Sequence, residues 1–295
     1  MRGLSSSTRN GGNQRRRQWL VHPATSPLAA CSLRVYGASR NTHIGSGPFT
    51  MLQMDVTDDQ SVQRAVDAIL EREGRLDAVV NNAGIAIAGP LELTSMEEAK
   101  RQIDVNLVGA FLACRAVLPT MRRQGGGYIV NVGSIGGLIA LPYQPLYSAS
   151  KFALEGMTEC LRLEVRPFGI RVVIVESGDT RTEITRNRRV AEATTNQQVY
   201  RSLAAALTCT ADDEQHGPGP DGVARLLWRI LNPRLRHTVG PATQRVEDAD
   251  GCLRVARFYS RRPALARRIM RTGGERCHNA PSVKPLIYRR TLTWW

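Results

Sequence analysis

Leu76-Asp77-Ala78-Val79-Val80-Asn81-Asn82-Ala83-Gly84 decides the fold: a short apolar run that ends in a turn of amide-bearing and small residues. The run reads as a buried strand over Leu76–Val80. Upstream, Leu33–Ala38 and Thr50–Met54 read as two further strands. Between them and the central run, Thr57 and Gln60 form a capping box ahead of Val62, Ala65, Val66, Ile69 and Leu70, which share one helical face. Downstream, a helix opens near Ser95 with acids in its first turn, Tyr128–Val132 reads as a strand, and Tyr147–Arg166 reads as a helix. Ile170–Val175 is an apolar, β-branched strand of the kind buried on both faces. Asp221 can cap a helix carrying Val223, Leu226, Leu227, Ile230 and Leu231, and a last short strand follows over 237–240. Strands alternating with helices imply right-handed crossovers and a doubly wound parallel sheet, an α/β architecture.

Outside that alternation the texture changes. Residues 1–32 are rich in Arg, Ser, Gly and Pro, without periodicity, and are expected to be a disordered, basic N-terminal segment. Residues 33–245 form the single α/β domain, and residues 246–295 a basic C-terminal tail in which 253–271 could be an amphipathic helix. The net charge of +14 resides in the flanks: residues 1–54 carry +7, residues 252–295 carry +10, and the part between carries −3. A slightly acidic body argues against a nucleic-acid partner. No apolar run approaches bilayer length and no secretory h-region follows the basic start, so neither a spanning helix nor a signal peptide is expected, and the body is assigned to the cytoplasm. The six cysteines are scattered without a Cys-x-x-Cys pair, which points away from a metal site or a disulfide framework.

In an open parallel sheet, ligands sit beyond the carboxyl ends of the strands, so the polar residues there come first. Asn81-Asn82-Ala83-Gly84 follows one strand, Gly133-Ser134 another, and Tyr147-Ser148-Ala149-Ser150-Lys151 opens the next helix. Tyr147 and Lys151 lie one turn apart on one helical face. Seven Tyr and three Lys in 295 residues give about 0.07 accidental Tyr-x-x-x-Lys pairs, so the spacing is informative. Asn106, set in Val105-Asn106-Leu107, needs partners for its amide on an otherwise apolar stretch. Singly, each has a plain structural role: core aromatic, solvated charge, turn former, helix polar residue.

Together, in this order and spacing, these residues resemble the short-chain dehydrogenase/reductase family, over about residues 33–245. The resemblance implies a Rossmann-like fold and a hydride transfer between a nicotinamide cofactor and a carbonyl or secondary alcohol. It assigns Tyr147 as general acid/base, and has Lys151 stabilise the tyrosinate and bond the cofactor ribose. Ser134 would donate to the substrate oxygen, and Asn106 would hold a water that links Lys151 to solvent. A free phenol titrates near ~10, which is why a neighbouring cation matters. Asn81, Ala83 and Gly84 would line the cofactor. Asp55 either contacts the adenine or caps the next helix. Arg40, after the second strand, favours the 2′-phosphate of NADP over NAD. Glu176-Ser177-Gly178-Asp179-Thr180-Arg181-Thr182 resembles the segment that meets the carboxamide, with Thr180 and Thr182 carried over. Ser177 stands where the family has proline, so a looser loop is expected. Residues 177–215, polar and irregular apart from a weak helical segment near 200–207, read as a mobile flap that sets the substrate, a small molecule that is bulky and apolar by analogy. The resemblance also implies a homo-oligomer through the helices of Asn106 and Lys151, and makes a membrane-surface partner a weaker reading.

The family's first strand and its Thr-Gly-x-x-x-Gly-x-Gly turn are not found upstream of Leu33. Gly11-Gly12 follows no apolar strand, and Gly45-Ser46-Gly47 leads into Pro48. The first strand and turn are therefore expected to be lost or replaced. A targeting peptide, a displaced start or reading frame, and real divergence to a catalytically impaired scaffold subunit all remain open. The excess of Arg over Lys, 37 to 3, favours the second.

Overall fold

The computed structural model describes residues 18–21, 34–40, 49–194, 199–228 and 236–239. In chain order it places β1 (Gln18–Val21), β2 (Arg34–Ser39), β3 (Thr50–Gln53), α1 (Asp59–Glu73), β4 (Ala78–Asn81) and β5 (Ile87–Ala88). Then follow α2 (Met96–Ile103), a π-helical turn over Asp104–Val108, α3 (Gly109–Gln124), β6 (Gly127–Val132), α4 (Pro145–Val165) and β7 (Ile170–Ser177). The chain continues through α5 (Ile184–Asn187), β8 (Arg189–Val190), α6 (Leu203–His216), α7 (Asp221–Trp228) and β9 (Arg236–Val239).

Seven strands form one parallel sheet in the order β3-β2-β1-β4-β6-β7-β9, reversing direction of growth at β1/β4 as a doubly wound fold does. The expectation of an unstructured start is corrected here: β1 lies inside residues 1–32 and pairs in parallel with β2 from Gln18 opposite Arg34 to Val21 opposite Gly37, and with β4 through Trp19 and Leu20. Four residues give no readable alternation, yet Trp19-Leu20-Val21 suits a strand by propensity, and the slot satisfies ladder groups on β2 and β4 that would otherwise form open edges. The first strand is thus replaced, not lost. Gly11-Gly12, Gly45-Ser46-Gly47 and the suggested helix at 253–271 lie outside the described residues.

The sheet is covered on both faces. Tyr36, Val79, Ile129 and Val172 pack with Ile69, Val117, Met121 and Leu161 of α1, α3 and α4. On the other face, Val35, Ala78, Val80, Val130, Val173 and Val175 pack with Leu227 of α7. α1 is capped by Asp58, whose carboxylate accepts the Gln60 N–H, not by Thr57 as expected: the Thr57 hydroxyl donates to Asp55 instead. Gly74 ends that helix at φ 68°, a left-handed position that favours glycine. Ser95 caps α2 in a reciprocal capping box with Glu98, as the acids there predict.

Met96–Gln124 forms one continuous 29-residue helical stretch that is long and apolar enough, by composition, to cross a membrane. Its apolar side is the one that covers the sheet, with Leu112, Ala113, Val117 and Met121 buried in the core. Within 177–215 the described residues hold α5, β8 and α6, and α6 begins within the weak helical segment read near 200–207. Asp212, Asp213 and Glu214 lie on α6, the helix that buries Leu203 and Ala206.

Candidate functional site

A cavity of about 1050 Å³ opens at the carboxyl ends of the strands, lined by residues from β6, β7, α4 and the α5–α6 region. It brings together Arg40, Ala83, Gly84, Ser134, Tyr147, Lys151, Thr180 and Thr182, eight of the residues singled out from sequence. α4 starts at Pro145, a good first helical residue, so Tyr147 and Lys151 lie in its first two turns and face the sheet. Both are buried, at 8% and 6% exposure.

Ser134 caps the short 3-10 turn after β6, where its Oγ accepts the Gly136 N–H at 3.1 Å. With that acceptor position occupied, the hydroxyl hydrogen is free to turn toward the cavity, which the Tyr147 ring also lines. Burial pushes the phenol above its ordinary 10, Glu214 and Glu176 push the same way, and the Ser134 hydroxyl and Arg188 oppose them. Lys151 stands beside that phenol. Its Nζ sits 6.0 Å from the Tyr147 ring centroid and donates to the Val132 carbonyl at 2.8 Å. Burial in turn brings the Lys151 amine down from 10.5 to about 8, with Glu176 and Glu155 holding it up.

Asn106 lies behind the cavity, on the π-helical turn that widens the helix and turns its amide inward. Its Oδ1 accepts the Ile85 N–H at 2.8 Å, and its Nδ2 donates to the Ile85 carbonyl at 3.0 Å and to Ser150 Oγ at 3.1 Å. The amide therefore has the partners that its apolar setting demanded. It fixes the strand-to-loop segment beside Gly84, where an added methyl carbon would stand 3.5 Å from Asn106 Oδ1 and 4.0 Å from Lys151 Nζ.

Besides Asn106, two expected residues are not brought to the cavity. Asn81 donates through Nδ2 to Asn131 Oδ1 at 2.8 Å and to Cys114 Sγ at 3.4 Å, so its side chain serves the packing beneath the crevice. Its neighbour Asn82 lines the cavity instead, on the other side of the strand by alternation. Asp55 shapes the turn before α1: Oδ1 accepts both the N–H and the hydroxyl of Thr57. Burial alone would raise its carboxyl, but the Thr57 bonds and the nearby Arg40 hold it below the usual range. Thr180 hydrogen-bonds the Ser177 hydroxyl at 3.0 Å and the Gly178 carbonyl at 3.0 Å, so the serine in place of proline ties the loop through its own side chain. Thr182 is exposed at the rim, and its Oγ1 accepts the Ile184 N–H at 3.4 Å. The pair Arg188–Glu214, with Thr185 donating to Glu214 at 2.6 Å, forms part of the cavity wall that sequence reasoning missed. Nothing in the spacing of an irregular segment marks those residues.

The cavity fits the nicotinamide and ribose half of a dinucleotide. Gly84 leaves room at its floor, and Lys151, Tyr147 and Thr180 supply buried polar groups on its wall. The pyrophosphate would sit after β1, where the 12 residues from His22 to Leu33 contain no glycine. Among the described residues no His, Cys, Asp and Glu cluster could hold a metal ion.

The strand order and the position of the crevice place the protein among α/β proteins with the dinucleotide-binding type of fold. Comparison with known proteins narrows this. The family model of the short chain dehydrogenases matches residues 34–193. The chain belongs to that family and is an oxidoreductase by its relatives. It is 42% identical over 214 residues to the 3-ketodihydrosphingosine reductase of Bacteroides thetaiotaomicron, covering 71% of this chain and 80% of the relative. A short-chain dehydrogenase from Streptomyces avermitilis superposes with a TM-score of 0.70 at 26% identity, covering 86% of this chain and 98% of that one. A family member from Burkholderia phymatum, solved with NAD, shares the fold at a TM-score of 0.68 and 22% identity, covering 85% and 95%. Two further relatives that carry dehydrogenase names are matched over only 45% and 57% of their own length.

Proposed function

We propose that this protein reduces a ketone or aldehyde, or oxidises the corresponding secondary alcohol, with a nicotinamide cofactor, and that Tyr147 is its general acid/base. The observation that carries the reading is the Tyr147 phenol and the Ser134 hydroxyl on the wall of one large cavity, with the Lys151 ammonium beside the phenol ring. A bound nicotinamide would supply or take the hydride. The chain's own work is to place a proton. In reduction, the phenol, held above its ordinary value by burial, keeps its proton at neutral pH and can pass it to the carbonyl oxygen. Ser134 donates to that same oxygen as charge develops on it. Lys151 offers a positive charge to the tyrosinate left behind and a donor to the ribose, and Asn106 holds the floor on which Lys151 rests.

Arg40 is exposed at the cavity rim and suits a 2′-phosphate, which supports NADP over NAD. The substrate side is lined by Ile135, Ile139, Leu141, Ile184 and Val223, which suits a bulky apolar ketone, and the reductase named for 3-ketodihydrosphingosine points to the same class. Exposed Phe111 and Phe152 on α3 and α4 favour a homo-oligomer through those helices. A small-molecule substrate and a cytoplasmic site complete the reading.

A second reading is supported by the glycine-free segment after β1: a relative that has lost its pyrophosphate seat and serves as a binding subunit. Titration of the purified full chain with NADPH, followed by nicotinamide fluorescence, separates the two. Saturable binding and NADPH oxidation with a long-chain ketone support the enzyme; no binding up to millimolar NADPH refutes it.

A further inference from the structure

Glu176 is a carboxylate with 1% exposure in a strand that is otherwise apolar from Val172 to Val175. Alternation along β7 fixes which way it faces. Val173 and Val175 pack with Leu227 on the α7 side, whereas Val172 and Ile174 pack with Leu161 and Leu154 of α4. Residue 176 therefore points to α4, the helix of Tyr147, Lys151 and Glu155. Its place there is tight: a methyl carbon added at Gly133 would lie 3.0 Å from each of its carboxylate oxygens. The neighbouring peptide group is the one Lys151 uses, since Nζ donates to the carbonyl of Val132. Carboxylate and ammonium thus lie near the same peptide, Val132–Gly133, at the floor of the cavity.

We propose that Glu176 is a positioning residue, which keeps the buried Lys151 ammonium charged beside the Tyr147 phenol and acts through Lys151, not on substrate. This rests on the reading of Tyr147 and Lys151 given above. A buried charge is costly without a partner, so the charges around a buried ammonium matter. The charges felt at Lys151 are Glu176, from β7, and Glu155, from one turn further along its own helix, with Glu176 the stronger. Arg188 and Glu214 act on the phenol from the opposite wall, and Glu176 reaches the phenol as well. Burial draws the Lys151 amine down to about 8, so it stands close to losing its charge under ordinary conditions. Any weakening of its acid partner is then felt near neutral pH.

The chain has three lysines, Lys100, Lys151 and Lys284, so Cε-labelled lysine in the ligand-free full chain gives three NMR signals. The Lys151 signal is the one lost in Lys151→Met. In the wild type it should titrate near pH 8. In Glu176→Gln the midpoint should fall. A drop of about 1 would cut the charged fraction at pH 7.5 about threefold. Glu155→Gln should lower it less. An unmoved Lys151 midpoint in folded Glu176→Gln overturns the proposal. If that variant does not fold, Glu176→Asp carries the same test: its shortened reach should lower the midpoint by a smaller amount, and an unmoved midpoint again overturns it.

Turnover adds a second readout. The falling alkaline limb of NADPH-dependent reduction should move to lower pH in Glu176→Gln, with activity near wild type at pH 6. A uniform loss at every pH marks a merely structural role and overturns the proposal. If wild-type protein reduces no carbonyl, the functional reading fails on that result, whereas the lysine titration still decides the role of Glu176.

Discussion

Replacing Asn106 by alanine tests whether the π-helical turn is there to hold the cavity floor. The amide makes three hydrogen bonds, two with the backbone of Ile85 and one with Ser150. It is 1% exposed, so water does not already compete for them. A net hydrogen bond contributes about 1 kcal/mol, and a buried group left without a partner costs about 1–3 kcal/mol. Loss of all three, with both polar groups of Ile85 stranded, should destabilise by about 3–4 kcal/mol, a large part of the roughly 10 kcal/mol that holds an ordinary domain folded. The assay is urea unfolding of the full chain followed by circular dichroism, with the midpoint shifting and the slope unchanged. Ser150→Ala is the control. It removes only the bond to Ser150 and the serine's own bond to the Tyr147 carbonyl, and should cost about 1–2 kcal/mol. An Asn106→Ala variant within about 1 kcal/mol of wild type would show that the Ile85 backbone finds other partners, and would refute the account of this turn.

Tyr147→Phe should lower kcat for carbonyl reduction by about 10²–10⁴ while NADPH binding, read by fluorescence, stays within a few-fold; equal loss of both would remove the phenol from the proton-transfer role. Arg40→Ala should weaken NADPH binding by about tenfold and leave NADH nearly unaffected, with the difference shrinking at high salt. Glu214→Gln leaves the Arg188 charge in a wall where the pair is only 7% and 14% exposed, and should destabilise by about 3 kcal/mol in thermal or urea melts. Lys151 also makes stability depend on pH. Its folded value is depressed to about 8 against 10.5, so the unfolded chain binds the extra proton between those values. Wild-type stability should therefore gain on that of Lys151→Met as pH rises from about 8 toward 10, and a constant difference between the two would refute the depressed value.

The order of elements was legible because each central strand is a β-branched run closed by a small-residue turn, and each long helix shows one apolar face. Tyr147, Lys151 and Ser134 were legible because helical spacing and strand ends place them without knowledge of packing. Asn106 announced itself as a polar residue where an apolar one belonged. What was not legible depends on which way a side chain turns at the end of a strand. Asn81 and Asn82 are chemically equal in sequence, and only the pleat sends one beneath the sheet and the other into the crevice. Arg188, between α5 and β8, meets Glu214 of α6 across 26 positions, a pairing that no local pattern encodes. β1 escaped notice because its three apolar residues follow a basic run and are too few to display a period.

That four-residue strand has a mechanical consequence. Among the described residues, it is the seam between the β2–β3 pair and the rest of the sheet. Adjacent strands stand about 4.8 Å apart, so without it β2 and β4 would face each other across roughly 10 Å, too far for any backbone bond to form. The rim that carries Arg40 hangs on the far side of this join, whereas Tyr147 and Lys151 stand on the near side. Cutting away the leading residues through Val21 would then act at a distance: it would loosen the grip on the adenosine end of a dinucleotide while leaving the phenol, serine and lysine in place around an otherwise intact half.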